Sequence, residues 1–302
     1  MNARPNSPAP AGCRPPGTTW LLPLVFLVLA AGCSASDGME DATEPSPAAN
    51  LNPDVAPVTE GTWYRPAPAV TWQWQIQGDV NTAYDAEIYD VDLFEAPDAV
   101  IQALHAQGRK VLCYFSAGSG ENYRPDYDRF LASDLGRTLD GYDDERWLDV
   151  RSRSVIDVME KRLDLAVQRG CDGVEPDNVT AFYNDTGFGI TPRDQLAFNR
   201  HLANEAHRRG LSIALKNDGE QAADLVDYFD FELNEECHQY DECAQLEVFR
   251  QQGKPILNAE YTDSRSRAEA MKNALCNRAA SAGTRTLILH PELDDAFRVA
   301  CF

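Results

Sequence analysis

The residues best equipped for chemistry lie in one short stretch, Cys171-Asp-Gly-Val-Glu-Pro-Asp-Asn178, which sets two carboxylates and an amide at the end of an apparent strand. A strand sends alternate side chains to opposite faces, so Gly173, Glu175 and Asp177 share one face and Val174 and Pro176 the other. Two acids on a buried strand face are costly unless they are hydrogen-bonded or used. Neighbours at i and i+2 point the same way, so they cannot grip one bond from two sides. A partner must come from elsewhere, and Asn234-Glu235-Glu236 supplies one at another strand end. Cleavage of a glycosidic bond is the chemistry that needs such a pair. One acid protonates the leaving oxygen while the other attacks carbon or activates water. Asp177 and Glu235 are the natural pair. Lys216, on the strand between them, offers the counter-charge a carboxylate nucleophile requires, and Glu175, one layer deeper, reads as a support for Lys216 or for a substrate hydroxyl.

Bringing such distant residues to one rim calls for a particular fold. Short apolar runs begin at Trp72, Glu87, Lys110, Cys171, Leu211, Asp227, Pro255 and Thr284. Most are separated by helix-like stretches that stop at a glycine, as at Gly108, Gly170, Gly210 and Gly253, and run straight into the next strand. Strand-helix alternation implies a parallel α/β sheet, and eight units over about 230 residues predict a single (β/α)8 TIM barrel spanning residues 62–302. An open doubly wound sheet is the alternative, but no Gly-x-Gly-x-x-Gly follows the first strand. Long loops follow the strand ends, which puts the expected site on the C-terminal face. Besides the acid pair, the rim there offers Asp90, Tyr114, Ser116, Glu175, Asn178, Lys216, Asn217, Glu236, Glu260 and Tyr261 as substrate contacts. Trp74, with Trp72, Tyr123 and Tyr183, offers apolar faces for sugar rings. Two strands apart, the backbones of Asp177 and Glu235 should lie about 10 Å from one another, and inward side chains would close the gap to roughly 5–6 Å. That leans towards a retaining reaction, with carboxyls about 5–5.5 Å apart, over an inverting one at about 6.5–9.5 Å.

At these residues the chain resembles glycoside hydrolase family 114. The motifs, in order, are Trp72-x-Trp-Gln-Ile, Val111-Leu-Cys-Tyr-Phe-Ser-Ala-Gly118, Cys171-Asp-Gly-Val-Glu-Pro-Asp-Asn178, Leu215-Lys-Asn217 and Asn234-Glu-Glu-Cys-x-x-Tyr-x-x-Cys243. The resemblance runs from about Thr62 to the C-terminus. It implies an endo-α-1,4-polygalactosaminidase-like enzyme on a (β/α)8 barrel, with Asp177 as nucleophile and Glu235 as proton donor. Glu236 adjoins Glu235, so the donor could be displaced by one position. Pro176 stands where relatives often carry a larger apolar residue. Two other readings remain open: a glycan-binding protein that has lost catalysis, and a hydrolase of another α-glycoside such as an α-galactoside.

The remaining features concern location and partners. With 27 basic and 48 acidic residues the formal charge is −21, which argues against nucleic acid as a partner and suits a neutral or amine-bearing polymer. Residues 1–32 read as a signal peptide: the apolar run from Trp20 to Ala31 is too short to span a membrane. It ends in Leu29-Ala-Ala-Gly-Cys33, which resembles a bacterial lipobox and would make Cys33 the lipid anchor; cleavage near Ala31 with secretion is the alternative. Residues 33–61, rich in Ser, Ala, Pro and acids, read as a flexible linker. Either route leads out of the cytoplasm. Six cysteines then remain for disulfides, with fifteen possible pairings. Cys237 and Cys243 read as one loop staple, Cys301 ties the tail to Cys276, and Cys113 is left with Cys171. No metal or other cofactor is expected, since neither Cys-x-x-Cys nor His-x-His occurs.

Overall fold

The computed structural model describes residues 47–302. In chain order its elements are β1 (Trp72–Trp74), β2 (Ile88–Asp92), α1 (Asp98–Ala106), β3 (Lys110–Ser116), β4 (Ser119–Glu121), β5 (Leu135–Leu139), β6 (Tyr142–Leu148) and α2 (Arg153–Arg169). There follow β7 (Gly173–Asp177), α3 (Pro192–Arg208), β8 (Ser212–Lys216), α4 (Ala222–Leu225), β9 (Phe231–Glu235), α5 (Glu247–Gln251), β10 (Ile256–Tyr261), α6 (Arg265–Ala282), β11 (Thr284–Leu289) and β12 (Arg298–Ala300). The eight apolar runs become eight parallel strands, ordered β1-β2-β3-β7-β8-β9-β10-β11, and form the (β/α)8 barrel.

Both strand faces are apolar because both are covered. Trp72, Ile88, Leu112, Ala214, Phe231, Leu233, Leu257 and Leu287 fill the barrel. Their alternates, among them Tyr89, Val111, Phe115, Val174 and Ile213, pack beneath the helices. The helices start and stop where the sequence allows. Pro192 opens α3 behind a reciprocal cap: the Thr191 hydroxyl accepts from the Asp194 N–H (3.1 Å), and the Asp194 carboxylate accepts from the Thr191 N–H (2.9 Å). Gly170 and Gly283 end α2 and α6 in the left-handed conformation and hand the chain directly to β7 and β11.

The three expected disulfides form: Cys113–Cys171, Cys237–Cys243 and Cys276–Cys301. The first joins residues 58 apart, and closing such a loop contributes about 4 kcal/mol by restricting the unfolded chain. Among the described residues no helix is long and apolar enough to cross a membrane.

Three features were not expected. The barrel has a seam, where β12 runs antiparallel to β11 as a ninth strand and side chains bridge to β1. Arg298 donates to the Trp72 carbonyl (2.6 Å), and the Trp72 indole donates to the Arg285 carbonyl (2.7 Å). The long loop after β3 holds a three-stranded antiparallel sheet, ordered β4-β6-β5. Finally, residues 47–61 are no free linker. They enter beside the start of α2, where the Arg153 N–H donates to the Pro47 carbonyl (2.9 Å) and the Ala49 N–H to that of Arg151 (2.8 Å). They continue along α3, with the Val58 N–H on Asn204 (2.7 Å), and Trp63 then bonds Asp230 and stacks on His207. The segment is rich in proline and polar residues, but side chains from α3 satisfy its backbone. The proposed signal peptide, Cys33 and linker residues 33–46 lie outside the described residues.

Candidate active site

Three neighbouring strands end alike. Directly after Asp177, Lys216 and Glu235 the chain turns through a left-handed residue: Asn178 (φ 59°), Asn217 (φ 56°) and Glu236 (φ 59°). Asparagine tolerates this conformation better than most residues, whereas for Glu236 it costs about 1–2 kcal/mol. Each sharp turn leaves the preceding side chain at the rim, on the inward face. Pro176 adds to the effect on β7. It has no N–H to give, and the β7–β8 ladder stops at Val174 and Ile213, so the two strand ends can part.

Lys216 is the centre of the site. Its Nζ lies 2.8 Å from Glu175 Oε1, 3.1 Å from Asp177 Oδ1 and 3.5 Å from Glu235 Oε2. Burial alone would strip the ammonium of its proton, but the charges of Asp177, Glu175 and Glu235 outweigh it and hold the lysine well above its usual range. Because the two outer acids share one nitrogen, their nearest oxygens are no farther apart than the sum of 3.1 and 3.5 Å, about 6.6 Å. The two carboxyls thus face one another across a single ammonium, close enough to flank one glycosidic bond.

Each acid is held by donors on both oxygens. Asp177 Oδ1 also accepts from the Asn178 N–H (2.8 Å), and Oδ2 from the Tyr114 hydroxyl (3.3 Å). Glu235 Oε2 also accepts from Asn217 Nδ2 (2.7 Å), and Oε1 from the Tyr261 hydroxyl. Asn217 binds the same residue twice, since its Oδ1 takes the Glu235 N–H (2.8 Å). Beneath, the Trp74 ring faces the ammonium at 4.8 Å, and Asp90 lies fully buried against Glu175.

The roof comes from the β4-β6-β5 sheet. Gly118, at the turn from β3 into β4, crosses the end of β7 so closely that a Cβ there would sit 1.8 Å from the Asn178 carbonyl. Ser116 is buried and serves this crossing. Its hydroxyl meets that of Ser119 (2.6 Å) and accepts from Asn178 Nδ2 (2.9 Å). Ser119 in turn donates to Glu145 (2.6 Å), whose carboxyl burial pushes up to about 7 against the pull of that hydroxyl. Tyr142, at the start of β6, is 57% exposed. Partial burial of its hydroxyl, then the charges of Glu235 and Asp177, hold its phenol above the usual range.

A matched pair of acids at the C-terminal rim of a barrel now has its comparison. The family model for glycoside-hydrolase family GH114 matches residues 53–301. The chain belongs to family GH114. It is a glycoside hydrolase. Aspergillus fumigatus Ega3, solved in complex with galactosamine, is 42% identical with a TM-score of 0.76, covering 80% of this chain and 99% of that one. The glycoside hydrolase domain of PelA from Pseudomonas aeruginosa is 19% identical with a TM-score of 0.62, covering 78% and 99%, and shares the fold. No curated protein matches the chain.

Within this GH114 barrel the expected contacts divide. Tyr114, Asn178, Lys216, Asn217 and Tyr261 touch the acid pair, while Trp74, Asp90, Ser116 and Glu175 form the layer that supports it. Glu236 stands at the rim and accepts from Gln239 (2.9 Å). Glu260 is a correction: it points away from the barrel axis and accepts from the His238 N–H (2.9 Å) and Asn258 (3.0 Å), bracing the loop after β9. Cys237, His238 and Cys243 cluster like metal ligands, but the two sulfurs are bonded to each other and offer no thiolate. The sequence reading missed Tyr142, Ser119 and Glu145. The Asp140-Gly141 pair, a hairpin-turn signal ahead of Tyr142, was the clue to that sheet.

Proposed function

We propose that the protein cleaves α-1,4-linked galactosamine-containing polysaccharide within the chain and with retention, using Asp177 as nucleophile and Glu235 as acid/base. The observation that carries the reading is the single ammonium in contact with both acids. In the first step Asp177 forms a bond to the anomeric carbon, the bond from that carbon to the leaving sugar oxygen breaks, and Glu235 gives that oxygen its proton. Negative charge thereby leaves Asp177 and appears on Glu235, and Lys216 touches both, so its surroundings keep the same total charge. In the second step water attacks the same carbon, Glu235 takes its proton, and Asp177 is released. Asn217 Nδ2 and Lys216 can only donate, so Glu235 Oε2 must be the unprotonated oxygen. The catalytic proton therefore rides on Oε1, where the Tyr261 hydroxyl can turn from donor to acceptor.

The amino-sugar substrate is supported by the galactosamine bound in Ega3 and by the acidic surface of this chain. Incubation with deacetylated galactosaminogalactan and with α-galactan, followed by product and anomer analysis, tests it. A ladder of α-configured oligosaccharides from the amino polymer alone is expected. Asp177→Asn and Glu235→Gln should each abolish cleavage in a folded protein, and near-normal turnover by the Asp177 variant would refute the nucleophile. We also propose that Cys33 carries a lipid anchor holding the enzyme outside the cytoplasm. Cys33→Ala should then release it from membranes, and unchanged membrane association would count against the anchor.

A further inference from the structure

Asp90 has no role in the reaction above, yet it lies wholly buried on the inward face of β2. Neither of its oxygens meets a hydrogen-bond donor, and Glu175 Oε2 lacks one as well. Each carboxyl is a principal electrostatic neighbour of the other. The strand register brings them together: Asp90 pairs with Leu112, Leu112 with Gly173, and Glu175 is the next inward residue along β7.

Two carboxylates so placed and away from water cannot both be ionised, so the pair holds a proton. Which carboxyl carries it follows from the neighbours. Glu175 has the Lys216 ammonium 2.8 Å from its other oxygen, whereas among the described residues no cation contacts Asp90. Burial raises both groups; Lys216 pulls both back towards the ionised form, and Glu175, which alone of the two is in contact with the ammonium, more strongly.

We propose that Asp90 is a neutral carboxylic acid whose hydroxyl donates to Oε2 of Glu175, fixing Glu175 so that its Oε1 holds Lys216 between Asp177 and Glu235. Asp90 is thus a positioning residue. It acts through Glu175 and Lys216 and touches no substrate, which also departs from the sequence expectation of a sugar contact. An ionised Asp90 would compete for the same ammonium and draw it down the barrel, away from the reacting acids. A neutral one adds a donor where only acceptors stand and leaves the charge of the site unchanged.

This deepens the proposed reaction and rests on it for kinetics, so the test has an arm that needs no substrate. Other buried carboxyls of the chain, Asp218 and Glu145 among them, also hold protons at neutral pH, so the reading is a difference. The wild-type minus Asp90→Asn infrared spectrum of the full chain, in water and in deuterium oxide, should show one deuterium-sensitive carboxylic-acid C=O component lost. A difference spectrum without that component, or the same component lost in Glu175→Gln but kept in Asp90→Asn, overturns the assignment. In turnover of the amino-sugar polymer, Asp90→Asn still donates to Glu175 and should keep kcat within about tenfold of the wild type. Asp90→Leu, similar in size and without a donor, should lose about 100-fold in kcat with KM changed less than about threefold. A rise in KM as the main effect of either variant means direct substrate contact and overturns it too. A wild-type chain inactive on every amino-sugar polymer refutes the reaction, and the infrared result then decides the proton by itself.

Discussion

Lys216→Met is the sharpest single perturbation of the site. Methionine keeps much of the stem that packs on Trp74 and removes only the ammonium. The structure sets the size of the effect. Contacts at 2.8, 3.1 and 3.5 Å are each worth about 5 kcal/mol of attraction at an effective dielectric near 20. Desolvation of the buried ammonium cancels most of that sum, and removing one partner from a buried ion pair usually costs about 3–5 kcal/mol. A domain with a typical stability of about 5–15 kcal/mol would stay folded under mild conditions. The carboxyls left behind repel one another until they take up protons, so the loss should be larger at pH 8 than at pH 5. Turnover should fall at least about 100-fold, equivalent to about 2.7 kcal/mol, because charge can no longer pass between the acids beside a fixed cation. Urea unfolding at the two pH values, read beside hydrolysis of the amino polymer, measures both effects. A variant with an unchanged midpoint at pH 8 and kcat within about threefold of the wild type would show that the ammonium does not hold this site together.

Other outcomes follow from neighbouring groups. Burial pushes Asp218 up to about 8 and Glu145 up to about 7, both above the range of an unfolded chain. The folded state thus keeps protons that the unfolded state releases; this stability is complete below about pH 4 and is lost as pH rises through 7 and 8. Melting temperature should therefore fall from pH 5 to pH 8.5, and Asp218→Asn should flatten the slope; an unaltered slope would remove Asp218 from the account. Asn217→Ala frees Glu235 on two sides and should lower kcat about 10- to 100-fold with the melting temperature nearly kept, checked by paired kinetics and thermal melts. Tyr142→Ala should raise KM about tenfold with a smaller effect on kcat if the exposed ring packs on a sugar, and an unchanged KM would dismiss that contact.

Much of the barrel was legible because its signals are local. Apolar runs covered on both faces, and helices that end in glycine, need only a few neighbouring residues to be recognised. The same holds for Asp177 and Glu175, whose shared face follows from strand parity. Parity also exposes the error at Glu260. Tyr261 and Glu260 were both expected to reach the substrate, but adjacent strand residues face opposite ways, and Tyr261 is the inward one. The roof was hidden for a different reason. Strands β5 and β6 are largely polar, and β4, only three residues long, pairs with β6 across β5, which intervenes in the sequence. The path of residues 47–61 was equally hidden, because the groups that tie it down, Asn204 and Arg200 among them, come about 150 positions later.

That path sets the side of the barrel from which a tether would leave. Helices of a barrel begin at the rim where its strands end, so a chain that enters beside the start of α2 enters on the catalytic side. Thirteen residues, 34–46, separate Cys33 from that entry and reach at most about 45 Å when extended. With Cys33 in a membrane, the mouth of the barrel would be leashed close to the lipid headgroups and could open towards them. Its natural prey would then be polymer emerging from, or lying against, the cell's own envelope, with soluble chains at a distance left to diffusion.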